Sequence, residues 1–120
     1  MPKILIVDDS QEDGDSLRRL LGRAGWEVLC TTDGRVAAER LREIEAEVVL
    51  LDVMMPEVDG FGVLAQIRSD PKTSKTTVVM YSALTDAATR LRAQSEGADD
   101  YVEKGAPFEI LRERLAAHVG

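Results

Sequence analysis

Hydrophobic positions along this 120-residue chain switch between two spacings. Short apolar runs rich in β-branched residues alternate with stretches whose apolar residues return at i, i+3, i+4 and i+7, the marks of buried strands and amphipathic helices. Lys3–Val7 is apolar after its first residue and predicts a strand covered on both faces. Leu17, Leu20, Leu21 and Ala24 stripe a helix that Gly25 stops. Trp26–Cys30 predicts a second strand. Ala37, Leu41 and Ile44 predict a second helix, with Glu39, Arg40, Arg42 and Glu43 on its wet side. Glu47–Leu51 predicts the third strand. Pro56, Asp59 and Gly60 punctuate a loop, and Val63, Leu64 and Ile67 mark a short helix that Asp70-Pro71 ends. Thr76–Tyr81 predicts the fourth strand. Leu84, Ala87, Ala88 and Leu91 predict the fourth helix, with Thr85 or Asp86 as its N-cap. Asp100–Glu103 predicts the fifth strand, and Phe108, Leu111 and Leu115 stripe a last helix with Pro107 in its first turn.

Five strands alternating with five helices imply a parallel sheet, because each parallel pair needs a crossover and helices then cover both faces. The crossovers are expected to be right-handed. The fold class is therefore α/β and doubly wound. In such sheets chemistry gathers at the carboxyl ends of the strands.

Composition narrows the setting. With 44% hydrophobic residues, the chain can bury a core as one domain over residues 1–120. Fifteen Lys and Arg against 22 Asp and Glu give a net charge of −7, which disfavours direct contact with nucleic-acid backbones or anionic membranes. Cys30 is the single cysteine, so no internal disulfide forms and a reducing compartment is expected. Apolar runs such as Ile4–Val7 and Val48–Leu51 are four residues long and fall far short of the ~20 residues of a membrane span. Met1-Pro2-Lys3 leads straight into the first run with no cleavage-type region, so the expected location is cytoplasmic.

The strand ends carry the chemistry. The first predicted strand runs into Asp8-Asp9, the third into Asp52, the fourth into Ser82 and the fifth into Lys104. A parallel sheet brings these groups to one edge and crowds the three carboxylates into one pocket. Two carboxylates about 4 Å apart repel by roughly 4 kcal/mol at an effective dielectric near 20. A compensating cation is needed. Lys104 supplies one charge, and the hard oxygen donors suit Mg²⁺, with Mn²⁺ as a substitute. A metal, a spare carboxylate, a hydroxyl and a lysine are the equipment of phosphoryl transfer, in which a carboxylate can itself be the nucleophile. Ser10 is the expected cap of the first helix, Cys30 a core residue, and His118 solvent-facing with no hydrolytic triad around it.

These residues resemble the receiver domain of two-component response regulators, of the chemotaxis-type single-domain kind. The resemblance covers the whole chain. Its carriers are I-L-I-V-D-D-S at 4–10, V-V-L-L-D-V-M-M-P-E-V-D-G at 48–60, V-V-M-Y-S-A at 78–83 and D-D-Y-V-E-K at 99–104. It implies a flavodoxin-like three-layer sandwich with strand order 2-1-3-4-5. It also implies roles. Asp52 would take a phosphoryl group from a phosphohistidine on a sensor histidine kinase or phosphotransfer protein. Asp9 directly, Asp8 largely through water, Asp52 and the backbone carbonyl of Met54 would hold Mg²⁺. Ser82 would be the switch hydroxyl and Lys104 the partner of the phosphoryl oxygens. Tyr101 matches the aromatic that turns inward when the hydroxyl moves. The face formed by the fourth helix, fifth strand and fifth helix would then change its affinity for a downstream target.

The pattern departs from the family after Lys104, where Gly105-Ala106-Pro107 replaces an immediate proline. A trans, more flexible loop is expected there, since a cis bond before glycine costs about 2.5–4 kcal/mol. Met54 and Leu84, two positions past Asp52 and Ser82, are apolar and predict slow self-hydrolysis of the aspartyl phosphate. The leading expectation is a switch that phosphorylates itself and turns over no external substrate. Two rivals stand beside it. One is a Mg²⁺-dependent phosphatase of the haloacid-dehalogenase type, which wants an acid where this chain has Met54. The other is a pseudo-receiver that works by constitutive contacts.

Overall fold

The computed structural model describes residues 1–119. Its elements in chain order are β1 (Lys3–Val7), α1 (Gln11–Arg23), β2 (Glu27–Thr31), a 3-10 turn at Gly34–Val36, α2 (Ala37–Ile44), β3 (Val48–Asp52), α3 (Gly60–Ser69), β4 (Thr77–Ser82), α4 (Ala87–Ser95), β5 (Asp100–Glu103) and α5 (Phe108–Ala117). The strands are all parallel in the order β2-β1-β3-β4-β5. This is the doubly wound, flavodoxin-like α/β sheet that the alternation of spacings predicts.

Period-two alternation along the strands divides the core into two layers. Leu5, Val7, Val49, Leu51, Val78 and Met80 face α2 and α3, where Leu41, Phe61, Leu64 and Ile67 meet them. Ile4, Ile6, Val48, Leu50, Val79 and Val102 face the other way, onto Leu17 and Leu21 of α1 and Leu111 and Leu115 of α5. β3 is buried along its whole length, whereas the edge strand β2 is half-buried. That contrast is why β3 reads as a continuous apolar run. Each fully buried Leu or Ile in these layers is worth roughly 1.5–3 kcal/mol relative to exposure.

The observed boundaries shift the expected ones at three strands. β2 starts at Glu27, because Trp26 donates its N–H to the carbonyl of Leu21 and closes the end of α1 behind Gly25 at φ 97°. β3 and β4 each run one residue further and take Asp52 and Ser82 into the ladder. Asp86 is the N-cap of α4, its carboxylate accepting from the Thr89 N–H. The stripe expected on that helix is corrected. Leu84 precedes α4, Leu91 is 65% exposed, and Ala93 is the helix's buried residue. Pro107 is the N-cap of α5, just outside its first turn. His118, expected to face solvent, is half-buried with Nε2 3.1 Å from Asp100 Oδ2. Among the described residues no helix is long and apolar enough to cross a membrane.

Candidate functional site: an acidic pocket at the strand ends

The pocket is assembled from the carboxyl ends of β1, β3, β4 and β5. Asp8 follows β1 and is held in line by its N–H, which donates to the Thr31 carbonyl at 3.1 Å. Its side chain is 3% exposed. Oδ1 of Asp8 accepts from the Ser10 N–H at 2.9 Å, and Ser10 in turn caps α1 by accepting from the Asp13 N–H. Asp9 is exposed at the mouth. Asp52 is the last residue of β3, buried, with Oδ1 accepting from the Met54 N–H at 3.2 Å. Carboxylate oxygens of Asp8, Asp9 and Asp52 lie within 4.8 Å of one another.

That convergence has an electrostatic cost. Burial pushes the Asp52 carboxyl above its usual range; the nearby Lys104 charge opposes the shift, and Asp8 adds to it. Lys104 lies just past β5, with its N–H donating to the Ser82 carbonyl at 2.9 Å. Its ammonium donates to Asp8 Oδ2 at 2.8 Å and to Asp52 Oδ2 at 3.4 Å. Burial draws the lysine down, but its hydrogen bond to Asp8 and the charges of Asp52, Asp8 and Asp13 outweigh it and hold the ammonium firmly protonated. The donor set offers carboxylate oxygens without a thiol or imidazole among them, which fits a hard divalent cation.

Ser82 ends β4, fully buried, its Oγ accepting from the Leu84 N–H at 3.1 Å. Tyr101 lies inward and buried, with its hydroxyl donating to the Leu84 carbonyl at 2.8 Å and the Arg90 guanidinium 4.9 Å from its ring centre. Ser82 and Tyr101 therefore grip the same residue of the β4–α4 loop from two sides.

Comparison with known proteins decides the family. The profile described as "Response regulator receiver domain" matches residues 4–116. The chain belongs to the receiver-domain family. Among curated relatives, a probable transcriptional regulator, ycf27, of Guillardia theta is 38% identical over 96% of this chain and 44% of its own length. The transcriptional regulatory protein GltR of Pseudomonas aeruginosa is 41% identical over 90% of this chain and 45% of its own. The chain thus spans less than half the length of these two relatives. Among solved structures, the chemotaxis protein CheY4 of Vibrio cholerae superposes with a TM-score of 0.93 at 28% identity, covering 99% of each chain. The BeF3-activated N-terminal receiver domain of Klebsiella pneumoniae RstA gives 0.90 at 28%, covering 97% of each.

In this receiver domain the expected strand-end groups Asp8, Asp9, Asp52, Ser82 and Lys104 do share one sheet edge. The two residues let in before Pro107 are absorbed by a tight turn. The Ala106 N–H donates to the Glu103 carbonyl at 3.1 Å, so Lys104 and Gly105 form the turn's centre and the lysine still points into the pocket. The described backbone contains no cis peptide bond, as expected for this loop. Tyr101, expected to move inward on activation, already lies inward here. Met54 is exposed beside the pocket and contributes its N–H to Asp52.

Asp13 escaped the sequence reading, and Gly60, expected only to punctuate a loop, has a tighter role. Asp13, on the first turn of α1, brings a further carboxylate to Lys104, Oδ2 to Nζ 3.4 Å. Gly60 opens α3 directly against the end of β3: a Cβ there would stand 2.2 Å from the Asp52 carbonyl oxygen. Ser10 as the cap was the available signal for Asp13, because an acid three residues later lies in the first turn and its side chain leans back toward the helix N-terminus.

Proposed function

We propose that this chain, as one domain over residues 1–120, is a phosphoaccepting switch of a two-component phosphorelay. The observation that carries the reading is the buried Asp52 carboxylate facing the Lys104 ammonium at the mouth of a carboxylate cluster. In the reaction a carboxylate oxygen of Asp52 attacks the phosphorus of a phosphohistidine on a kinase or phosphotransfer protein. The new O–P bond forms as the P–N bond breaks, and the electron pair leaves with the imidazole nitrogen. Lys104 donates hydrogen bonds to the phosphoryl oxygens, and the Ser82 hydroxyl rotates from the Leu84 N–H to join it. Asp8, Asp9, Asp52 and the carbonyl of Met54 would hold Mg²⁺. When bound, that ion supplies positive charge for the phosphoryl oxygens.

The added charge, about −1.5 to −2, makes Ser82 and Leu84 the first residues to respond. Leu84 carries the signal to Tyr101 and to the α4–β5–α5 face, where a downstream target binds. Apolar Met54 and Leu84 offer no side-chain base to an attacking water, so the phosphorylated form is expected to persist for minutes or longer. The domain is a cytoplasmic signalling module and turns over no external substrate. Its acidic surface is not itself a nucleic-acid interface. One longer relative, from Synechocystis, is a DNA-binding transcriptional regulator, and any such output here would lie outside this domain.

Incubation with acetyl phosphate and Mg²⁺ tests the reading. A stable gain of about 80 Da, one phosphoryl group, absent in Asp52→Asn, is the expected result. Continuous phosphate release would favour the phosphatase, which the exposed apolar Met54 argues against. No reaction would leave the constitutive binding module.

A further inference from the structure

The Lys104 ammonium has three N–H donors, and three carboxylates surround it: Asp8 at 2.8 Å, Asp52 at 3.4 Å and Asp13 at 3.4 Å. They differ in setting. The side chains of Asp8 and Asp52 are 3% and 7% exposed, whereas that of Asp13 is 53% exposed. Asp13 is also freed for this contact by the local hydrogen bonding. An acid three residues after a serine cap ordinarily folds back onto the cap's N–H. Here that donor, the Ser10 N–H, is taken by Asp8 Oδ1. The Asp13 carboxylate therefore turns outward and meets a lysine 91 positions away.

We propose that Asp13 is a positioning residue for the phosphoryl transfer, acting through Lys104. It draws the ammonium toward the α1 rim in the unphosphorylated state and gives it up when the phosphoryl group arrives. The inference rests on the phosphoacceptor reading of Asp52. Of the three carboxylates, Asp13 is the cheapest to release, because water replaces the lost hydrogen bond at an exposed site, whereas Asp8 would be left buried without its cation. Its exposed negative charge, 3.4 Å from the Lys104 ammonium, also repels an anionic phosphodonor. Asp13 thereby restrains the rate at which Asp52 is loaded.

The test is the rate of Asp52 phosphorylation by acetyl phosphate with Mg²⁺, read by intact mass. Asp13→Asn keeps the N–H that Ser10 caps and removes the charge; it is expected to speed loading roughly two- to fivefold, the range open to an exposed ion pair. The gain should shrink as ionic strength rises. Asp13→Glu, which keeps the charge and has the reach, should restore the slow rate. Glu12→Gln removes the same charge one residue away, where no contact to Lys104 exists, and should leave the rate unchanged. In a Lys104→Met background, Asp13→Asn should add nothing. A wild-type rate in Asp13→Asn, an equal acceleration in Glu12→Gln, or an undiminished effect without Lys104 would overturn the role of Asp13. Absence of any mass gain in the wild-type chain would instead overturn the phosphoacceptor reading beneath it.

Discussion

Gly60 shows how tightly single residues are set around the pocket. A Cβ there would meet the Asp52 carbonyl oxygen at 2.2 Å and Val53 Cα at 2.8 Å, both backbone atoms with no freedom to swing aside. Gly60→Ala should therefore cost about 3 kcal/mol in urea unfolding. Gly105→Ala, with nothing within 4 Å of its added methyl group, should stay within about 0.5 kcal/mol of wild type. Equal effects would show that the close approach is not limiting. Asp52 supplies a prediction of the opposite sign. Its carboxyl is raised by burial, while in the unfolded chain it keeps the ordinary value near 3.9. The folded state then binds more protons over the interval between the two, so stability is fully present below the ordinary value and falls as pH rises through the raised one. In chelator, Asp52→Asn should melt above wild type at neutral pH, with the gap closing as the pH drops below about 4. A gap that persists in acid would place its origin outside this charge.

The helices differ in how firmly they are held. α5 anchors itself through Leu111 and Leu115, 1% and 0% exposed, whereas α4 buries Ala93 and leaves Leu91 in solvent. Leu111→Ala is expected to cost about 2–5 kcal/mol, and Leu91→Lys to lie within about 0.5 kcal/mol of wild type. Denaturant titrations of the two variants check both. Amide exchange should follow the same order, α4 opening before α5, since sparse apolar burial marks the low-stability parts of a fold. A loosely held α4 is also what a switch requires, because its loop carries Leu84, held jointly by Ser82 and Tyr101. The apolar stripe expected for α4 is not the face that the helix buries. Leu84 packs against the core from the loop before α4, and Leu91 is exposed on the helix; helical spacing alone fixes neither where the helix begins nor which face meets the sheet.

At the scale of the whole molecule, the sheet gathers charges that repel one another, and a cation should relieve that strain. Mg²⁺ at a hundred times its Kd is expected to add about 2.7 kcal/mol, seen as a rise in thermal midpoint that Asp9→Asn diminishes. No rise would show that Lys104 alone balances the cluster. Much of this assembly was legible beforehand. Alternating hydrophobic spacings specify parallel strands joined by helices, because a strand buried on both faces and a helix buried on one leave different periodicities in the chain. Asp52 and Ser82 were placed to within a residue of the strand ends by that rule. The approach of Asp13 to Lys104, the half-buried pairing of His118 with Asp100, and the turn that returns Lys104 to the pocket after its displaced proline were decided by tertiary structure. Hydrophobic periodicity records which side of an element is buried. Contacts between polar groups tens of residues apart depend on the angle and distance at which packed elements finally meet, and those come from the whole fold.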